Sequence, residues 1–344
     1  MTDKVKRVLV VGAGGFAGGF LCEEGLRRGY EVWAGVRAST SRRYLQDERL
    51  RFAVLDFEHP DALAGALRDA LPEGEKWDYV VYNLGATKCL NFTDFNRINY
   101  LYLQYFTNAL READMVPEKM LYISSLSAMG KGDEKGYTPF TEKMIPMPDT
   151  RYGASKLKAE MWLQTCGIPT IVFRATGIYG PRDRDYFLMF ESIRKGADFT
   201  VGYRKQLLSF LYVEDLARAV YDALERSKTG ETYIVGEDAV YTQKEFRSLV
   251  CRSLGKRFVV PVRLPLWAVK AVSAVAEKIG VARGKPSTLN TDKYKIMKQR
   301  NWAIDISKAR EGFGFAPEVS LPEGVRCCVE WYTEQGWLRP VKGK

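Results

Sequence analysis

Histidine is almost missing from this chain of 344 residues: His59 is the only one. The six cysteines, Cys22, Cys89, Cys166, Cys251, Cys327 and Cys328, show neither a CxxC pair nor metal-ligand spacing. A zinc or iron centre built on His and Cys is thereby disfavoured, and no metal is expected. Scattered thiols without a disulfide pattern, and no apolar export segment at Met1-Thr-Asp-Lys4, point to a reducing cytoplasm. The net charge is +10. Yet the chain has no basic run and none of the nucleic-acid motifs, so no nucleic-acid partner is expected. The spread of charge fits a solvated basic surface, or attraction to anionic substrates or an anionic membrane face.

An uncharged run long enough to span a bilayer is missing too. Leu264 to Ala282 is apolar except for Lys270, Ser273, Glu277, Lys278 and Gly280. It reads as a core helix or substrate lid, or as an interfacial helix whose lysines meet lipid headgroups on the inner membrane face. Internal repeats and low-complexity segments are absent.

What is there is an alternation of short apolar runs with amphipathic stretches, beginning at Val8-Leu-Val-Val11. Strands buried on both faces and joined by crossover helices give this pattern. Strands are expected over 7–11, 31–36, 51–55, 79–83, 120–124 and 170–173, with helices over 15–28, 94–112 and 152–166. The fold class is therefore α/β, a doubly wound parallel sheet. Past Gly180-Pro181 the regularity breaks. Residues 1–180 are expected to form the nucleotide-binding unit and 181–344 a smaller substrate-binding α/β region, with some C-terminal segments packing back. A capping box, Thr242-Gln-Lys-Glu245, opens one of its helices.

The first strand runs into Gly12-Ala-Gly-Gly15-Phe-Ala-Gly18. Glycines at 12, 15 and 18 permit a tight turn, approach to a pyrophosphate and close helix–strand packing, and the helix start faces the phosphate charge. Gly14 and Phe16 lie in the same loop. The second strand ends Val36-Arg37 with Ser39 nearby, and no carboxylate stands there to accept the adenosine ribose hydroxyls. Arg37 and the hydroxyls offer donors to a 2′-phosphate, so NADP(H) is preferred while NAD(H) stays open. Asp56-Phe57 closes the third strand, where a carboxylate can take the adenine amine. Leu84, Gly85 and Ala86 follow the fourth, where small residues let backbone line a cofactor.

Tyr152-Gly-Ala-Ser-Lys156 lies 27 residues beyond Ser125. Four residues apart on a helix, the two side chains share a face. The ammonium is then expected to lower the phenol pKa from about 10 toward working pH. Such a phenol can pass a proton to or from a carbonyl or carbinol oxygen.

In this order, the glycine loop, Asp56, Asn83-Leu-Gly-Ala86, Ile98-Asn99, Ser124-Ser125, YxxxK, Tyr179-Gly-Pro181 and Phe210-Leu-Tyr-Val-Glu-Asp215 resemble the extended short-chain dehydrogenase/reductase family, also called the NAD-dependent epimerase/dehydratase family. The resemblance covers nearly the whole chain. It implies Tyr152 as acid/base, Lys156 as its partner and holder of the nicotinamide ribose, and Ser125 as the hydroxyl on the substrate oxygen. It also implies Thr176 and Ile178 at the cofactor. Thr87, Ser127, Met129, Tyr179, Phe187, Leu208 and Phe210 would line the substrate. For Asn99 a proton relay and a backbone-packing amide stay equally open. A homodimer through helices 94–112 and 152–166 is a further implication.

Two departures bear on substrate. Gly177 stands where nucleotide-sugar enzymes usually carry a diphosphate-binding Asn, and Leu208 where they commonly place an Arg, although Arg204 and Lys205 are close enough in sequence to compensate. The Thr176-Gly-Ile-Tyr179 segment and the closing pattern from Trp302 to Leu338 look like the branch of 3β-hydroxysteroid dehydrogenases, dihydroflavonol reductases and ketosphinganine or ceramide reductases. The leading expectation is thus an NADP-dependent reductase of a ketone on a bulky apolar molecule, such as a sphingoid or sterol-like lipid. The alternative is a nucleotide-sugar epimerase, with dehydratase less suited because Leu126-Ser127 supplies no acidic pair. A third, a non-enzymatic cofactor sensor or RNA-binding relative, sits poorly with retention of both Tyr152 and Lys156.

Overall fold

The computed structural model describes residues 5–338. Met1-Thr-Asp-Lys4, on which the reading about export rests, lies outside the described residues. The first half of the chain forms β1 (Arg7–Val11), α1 (Phe16–Arg27), β2 (Glu31–Val36), β3 (Arg51–Val54), α2 (Leu63–Asp69), β4 (Tyr79–Tyr82), α3 (Phe92–Asn96), α4 (Tyr102–Glu112), β5 (Lys119–Ser125), α5 (Arg151–Leu163) and β6 (Thr170–Ala175). There follow β7 (Gly177–Tyr179), α6 (Phe187–Lys195), β8 (Ala197–Val201), β9 (Leu207–Leu208), β10 (Phe210–Tyr212), α7 (Val213–Arg226) and β11 (Thr232–Val235). Last come β12 (Tyr241–Thr242), α8 (Gln243–Ser253), β13 (Val260–Leu264), α9 (Leu266–Ala282), α10 (Thr291–Lys298), α11 (Ser307–Phe313) and α12 (Leu321–Glu334).

Seven strands form one parallel sheet in the order β11-β6-β5-β4-β1-β2-β3. Alternate residues of each strand bury on opposite faces. Val8 and Val10 join the core under α1, α7 and α11, whereas Leu9 and Val11 join the core under α2, α4 and α5. Burial on both faces explains the unbroken apolar strands. The seventh strand, β11, is not among those expected from sequence: its four residues form a short run that follows α7, past the Gly180-Pro181 point where the alternating pattern breaks. Together with α7 and α11 it brings the later half of the chain into the layers around the sheet.

The helix expected over 94–112 is interrupted. A π-helical turn at Arg97–Leu101 separates α3 from α4 and carries the buried Asn99. Beyond β6, three short strand pairs, β7–β10, β8–β13 and β9–β12, support a third core around Tyr179, Phe190, Phe210, Phe246 and Tyr332. The capping box of α8 forms as expected, with Thr242 and Glu245 satisfying each other's backbone amides.

Candidate active site

The sheet order reverses direction between β1 and β4, and the glycine loop leaves β1 there. Gly12 has φ +84°, and a Cβ on it would lie 2.8 Å from the Leu84 amide nitrogen. A Cβ at Gly18 would lie 2.4 Å from the Gly12 carbonyl oxygen. Both positions therefore need glycine for backbone contact. Gly15 caps α1 without any side-chain bond to the first-turn amides. Gly14 and Gly15 are exposed beside Phe16, so this uncapped, open helix start fits a phosphate.

At the C-terminal end of β5, Ser125 meets the catalytic helix candidate, α5. Ser125 Oγ accepts the Ser127 amide at 3.1 Å and lies close enough to the Tyr152 phenol to favour its ionised form. Lys156 is buried, donates to the Ile123 carbonyl at 2.7 Å and lies 4.6 Å from the centroid of the Tyr122 ring. A Cβ at Gly85 would lie 3.2 Å from Lys156 Nζ, so the loop after β4 passes directly over this amine.

The electrostatics differ from the sequence expectation. Burial raises the Tyr152 phenol above its ordinary value, and Ser125 pulls it partway back. Lys156 is itself pushed down to about 7 by burial, against a smaller opposing pull from Glu160. Of the groups acting on the phenol, Ser125 is the one that lowers it.

Asn99 joins two parts of the site. Its side chain accepts the Ala86 amide at 2.7 Å and donates to the Ala86 carbonyl at 3.0 Å and to Ser155 Oγ at 2.9 Å. It holds the loop after β4 against α5. Beneath the site Glu160 takes a hydrogen bond from Ser124 and an ion pair from Arg174 at 2.7 Å, both residues of that pair being buried.

The remaining expected residues divide. Arg37, Ser39 and Thr87 are exposed. Asp56 is exposed and paired with His59 at 2.8 Å, while Phe57 is buried on Tyr102. Thr176 is buried with its hydroxyl unpaired, Ile178 is half-buried against the core, and Ser127 is half-buried. Several apolar residues expected at the substrate also pack in the third core or beside it. Met129, Tyr179 and Phe210 are each at most 3% exposed. Phe187 packs on Tyr332 and Trp337, and Leu208 pairs with Tyr241 between β9 and β12. Core and cleft aromatics look alike in sequence, which is why the distinction was not visible there. The space beside Gly177 is filled: a Cβ there would lie 2.1 Å from Tyr186 Oη.

Sequence reasoning missed the contribution of α10. Asp292 binds Arg151 and the Tyr152 amide. The side-chain amine of its neighbour Lys293, with its pKa lowered by burial, makes no hydrogen bond or ion pair among the described residues but feels the charges of Asp185, Lys88 and Asp183. Lys88 pairs with Asp185. No spacing rule links positions 88, 185 and 293.

A doubly wound parallel sheet with a glycine cradle at its switch point defines a dinucleotide-binding protein of the Rossmann class. The chain belongs to the NAD dependent epimerase/dehydratase family, whose model matches residues 8–236. It is 28% identical over 212 residues to dTDP-glucose 4,6-dehydratase 1 of Escherichia coli (strain K12), covering 59% of this chain and 53% of that protein. The chain thus matches about half the length of that curated relative. Over 96% of both chains it is 24% identical to the uncharacterized protein y4nL of Sinorhizobium fredii. Among solved structures, dTDP-glucose 4,6-dehydratase from Bacillus anthracis in complex with NAD superposes with a TM-score of 0.76 at 19% identity, covering 98% of this chain and 100% of that one. UDP-glucuronic acid 4-epimerase from Bacillus cereus in complex with NAD gives 0.74 at 21%, covering 96% and 99%. These two likenesses concern the fold. Among the described residues no helix is long and apolar enough to cross a membrane.

Proposed function

We propose that this chain binds a nicotinamide dinucleotide and carries out oxidation and reduction at a carbinol or carbonyl carbon of a nucleotide sugar, with epimerisation the preferred outcome. The observation that carries it is the convergence of Ser125, Tyr152 and Lys156 at the end of β5, under the Gly85–Ala86 backbone and beside the Gly12–Gly18 cradle. The bound nicotinamide supplies the hydride acceptor and donor. Tyr152 Oη takes or returns the proton of the substrate oxygen, and Ser125 Oγ holds that oxygen by a hydrogen bond. Lys156 and the backbone around Gly85 hold the cofactor's ribose side of the site.

The substrate class is supported by the names of the curated relatives. Leu126 is buried and Ser127 follows it, so the acidic pair a dehydratase needs after the catalytic hydroxyl is missing. A second reading, reduction of a ketone on a bulky apolar molecule, is favoured by one observation: Tyr186 occupies the place where the diphosphate-binding Asn would stand. The relatives reported above do not support it. On cofactor choice, β2 ends without a carboxylate and the Arg37 guanidinium is exposed. We therefore propose a site that takes NADP(H) as well as NAD(H), with Arg37 setting the ratio. A homodimer through α4 and α5 is part of the same proposal.

The test compares thermal unfolding and turnover with NAD(H), NADP(H), nucleotide sugars and long-chain ketones. Stabilisation and turnover by a nucleotide sugar without net cofactor consumption supports epimerisation. Consumption of NADPH only with an apolar ketone would replace it by the second reading.

A further inference from the structure

We propose that the β8–β13 ribbon and α9 form a docking surface for an anionic lipid membrane. Exposed large apolar residues are concentrated there: ten of the eighteen in the described chain fall within residues 199–203 and 258–281. Phe258 and Trp267 are each 75% exposed, and Val272, Val275 and Ile279 form an i, i+3, i+7 stripe along the outer face of α9. The neighbouring face, Val269, Ser273 and Gly280, is the buried one. An apolar face turned outward on a helix already packed by another face requires a partner.

Charge decides which partner. Between Cys251 and Asn290 there are eight Lys or Arg residues and a single acid, Glu277. That carboxylate is engaged with Arg151 and Thr291 and neutralises nothing outside. Arg257, Arg263, Lys270, Lys278, Arg283 and Lys285 are all exposed, and none forms an ion pair among the described residues. A second copy of the same surface would set these cations against one another. Anionic headgroups would neutralise them while the acyl boundary takes up Trp267, Val275 and Phe258. Because no described helix can cross the bilayer, the contact is peripheral. The inference is independent of the substrate, since none of these residues belongs to the proposed catalytic set.

The full chain is sedimented with vesicles of phosphatidylcholine alone and of phosphatidylcholine mixed with phosphatidylglycerol. Binding is expected only to the mixed vesicles and is expected to weaken with salt. Lys270→Gln and Lys278→Gln should each lower the partition coefficient about five-fold, and Val275→Glu should abolish binding while leaving the unfolding midpoint and cofactor binding unchanged. No binding at low salt, or equal binding by the Val275→Glu variant, overturns the proposal. So does a dimer in solution that Val275→Glu dissociates without any lipid binding, since that assigns the face to a second copy.

Discussion

Asp292 and Tyr152 are 140 residues apart in sequence and joined by a hydrogen bond: the Asp292 carboxylate accepts the Tyr152 backbone amide at 3.0 Å. The same carboxylate takes Arg151 Nε at 3.1 Å, and Arg151 also donates to Glu277 of α9 at 2.6 Å. A negative group at the first turn of α5 satisfies an amide that the helix cannot and complements the helix dipole. The residue proposed to carry the chemistry is thus held by a helix from the later part of the chain. Replacing Asp292 by Ala is expected to cost about 1–3 kcal/mol of stability and to lower kcat more than it raises KM. Denaturation and steady-state kinetics on the variant check both.

Tyr152→Phe removes only the hydroxyl proposed to carry the proton. Turnover should fall by about 10²–10⁴-fold, while the increase in unfolding temperature on adding NAD(H) or NADP(H) stays within about a degree of the native protein's. A variant that keeps turnover takes the acid/base role away from this residue.

Lys156 yields a pH prediction with a definite sign. Its folded-state value of about 7 lies below the ordinary 10.5. Between those values the unfolded chain holds a proton that the folded chain lacks, so this residue's penalty on stability shrinks as pH rises from 7 to 10.5 and is full below 7. Lys156→Met should therefore be more stable than the native chain at pH 7, by roughly 2–5 kcal/mol, and the advantage should fade toward pH 10. Urea unfolding at several pH values measures it.

Much of this architecture is legible in the sequence, for physical reasons that can be named. Strands buried on both faces announce themselves as short apolar runs, and six of the seven sheet strands do so. Gly12 and Gly18 are legible because backbone contact leaves no room for a Cβ. Tyr152 and Lys156 are legible as a helical pair because helix geometry fixes their shared face. The direction of the phenol's pKa is not, because burial is a property of the assembled site. Lys293 and Asp292 are hidden for the same reason: only the packing of α10 on the start of α5 gives them a role. The burial of Phe210 and Tyr179 is hidden for a further reason: an aromatic ring in a core and one in a cleft leave the same mark in a sequence.

The cradle makes its own prediction. Gly18→Ala places a Cβ within 2.4 Å of the Gly12 carbonyl oxygen and 2.6 Å of the Ala13 carbonyl oxygen, both backbone atoms that cannot swing aside. The loop must shift, and the thermal stabilisation by dinucleotide should be lost even if the fold persists.

Arg37 should decide between cofactors. Arg37→Asp restores a ribose-binding carboxylate and removes a phosphate donor, so the ratio of NADPH to NADH affinity should fall by at least ten-fold, a change of about 1.4 kcal/mol. Titration of both dinucleotides against the two proteins reads the ratio directly. An unchanged ratio means that Arg37 lies off the 2′ position.

The most direct test of the catalytic assignment is a crystal structure of the protein with NAD or NADP bound. The account predicts the pyrophosphate on the Gly12–Gly18 loop, with Lys156 Nζ at the nicotinamide ribose and the Tyr152 hydroxyl beside the nicotinamide ring. A dinucleotide seated elsewhere, or a phenol turned away from that ring, would contradict it.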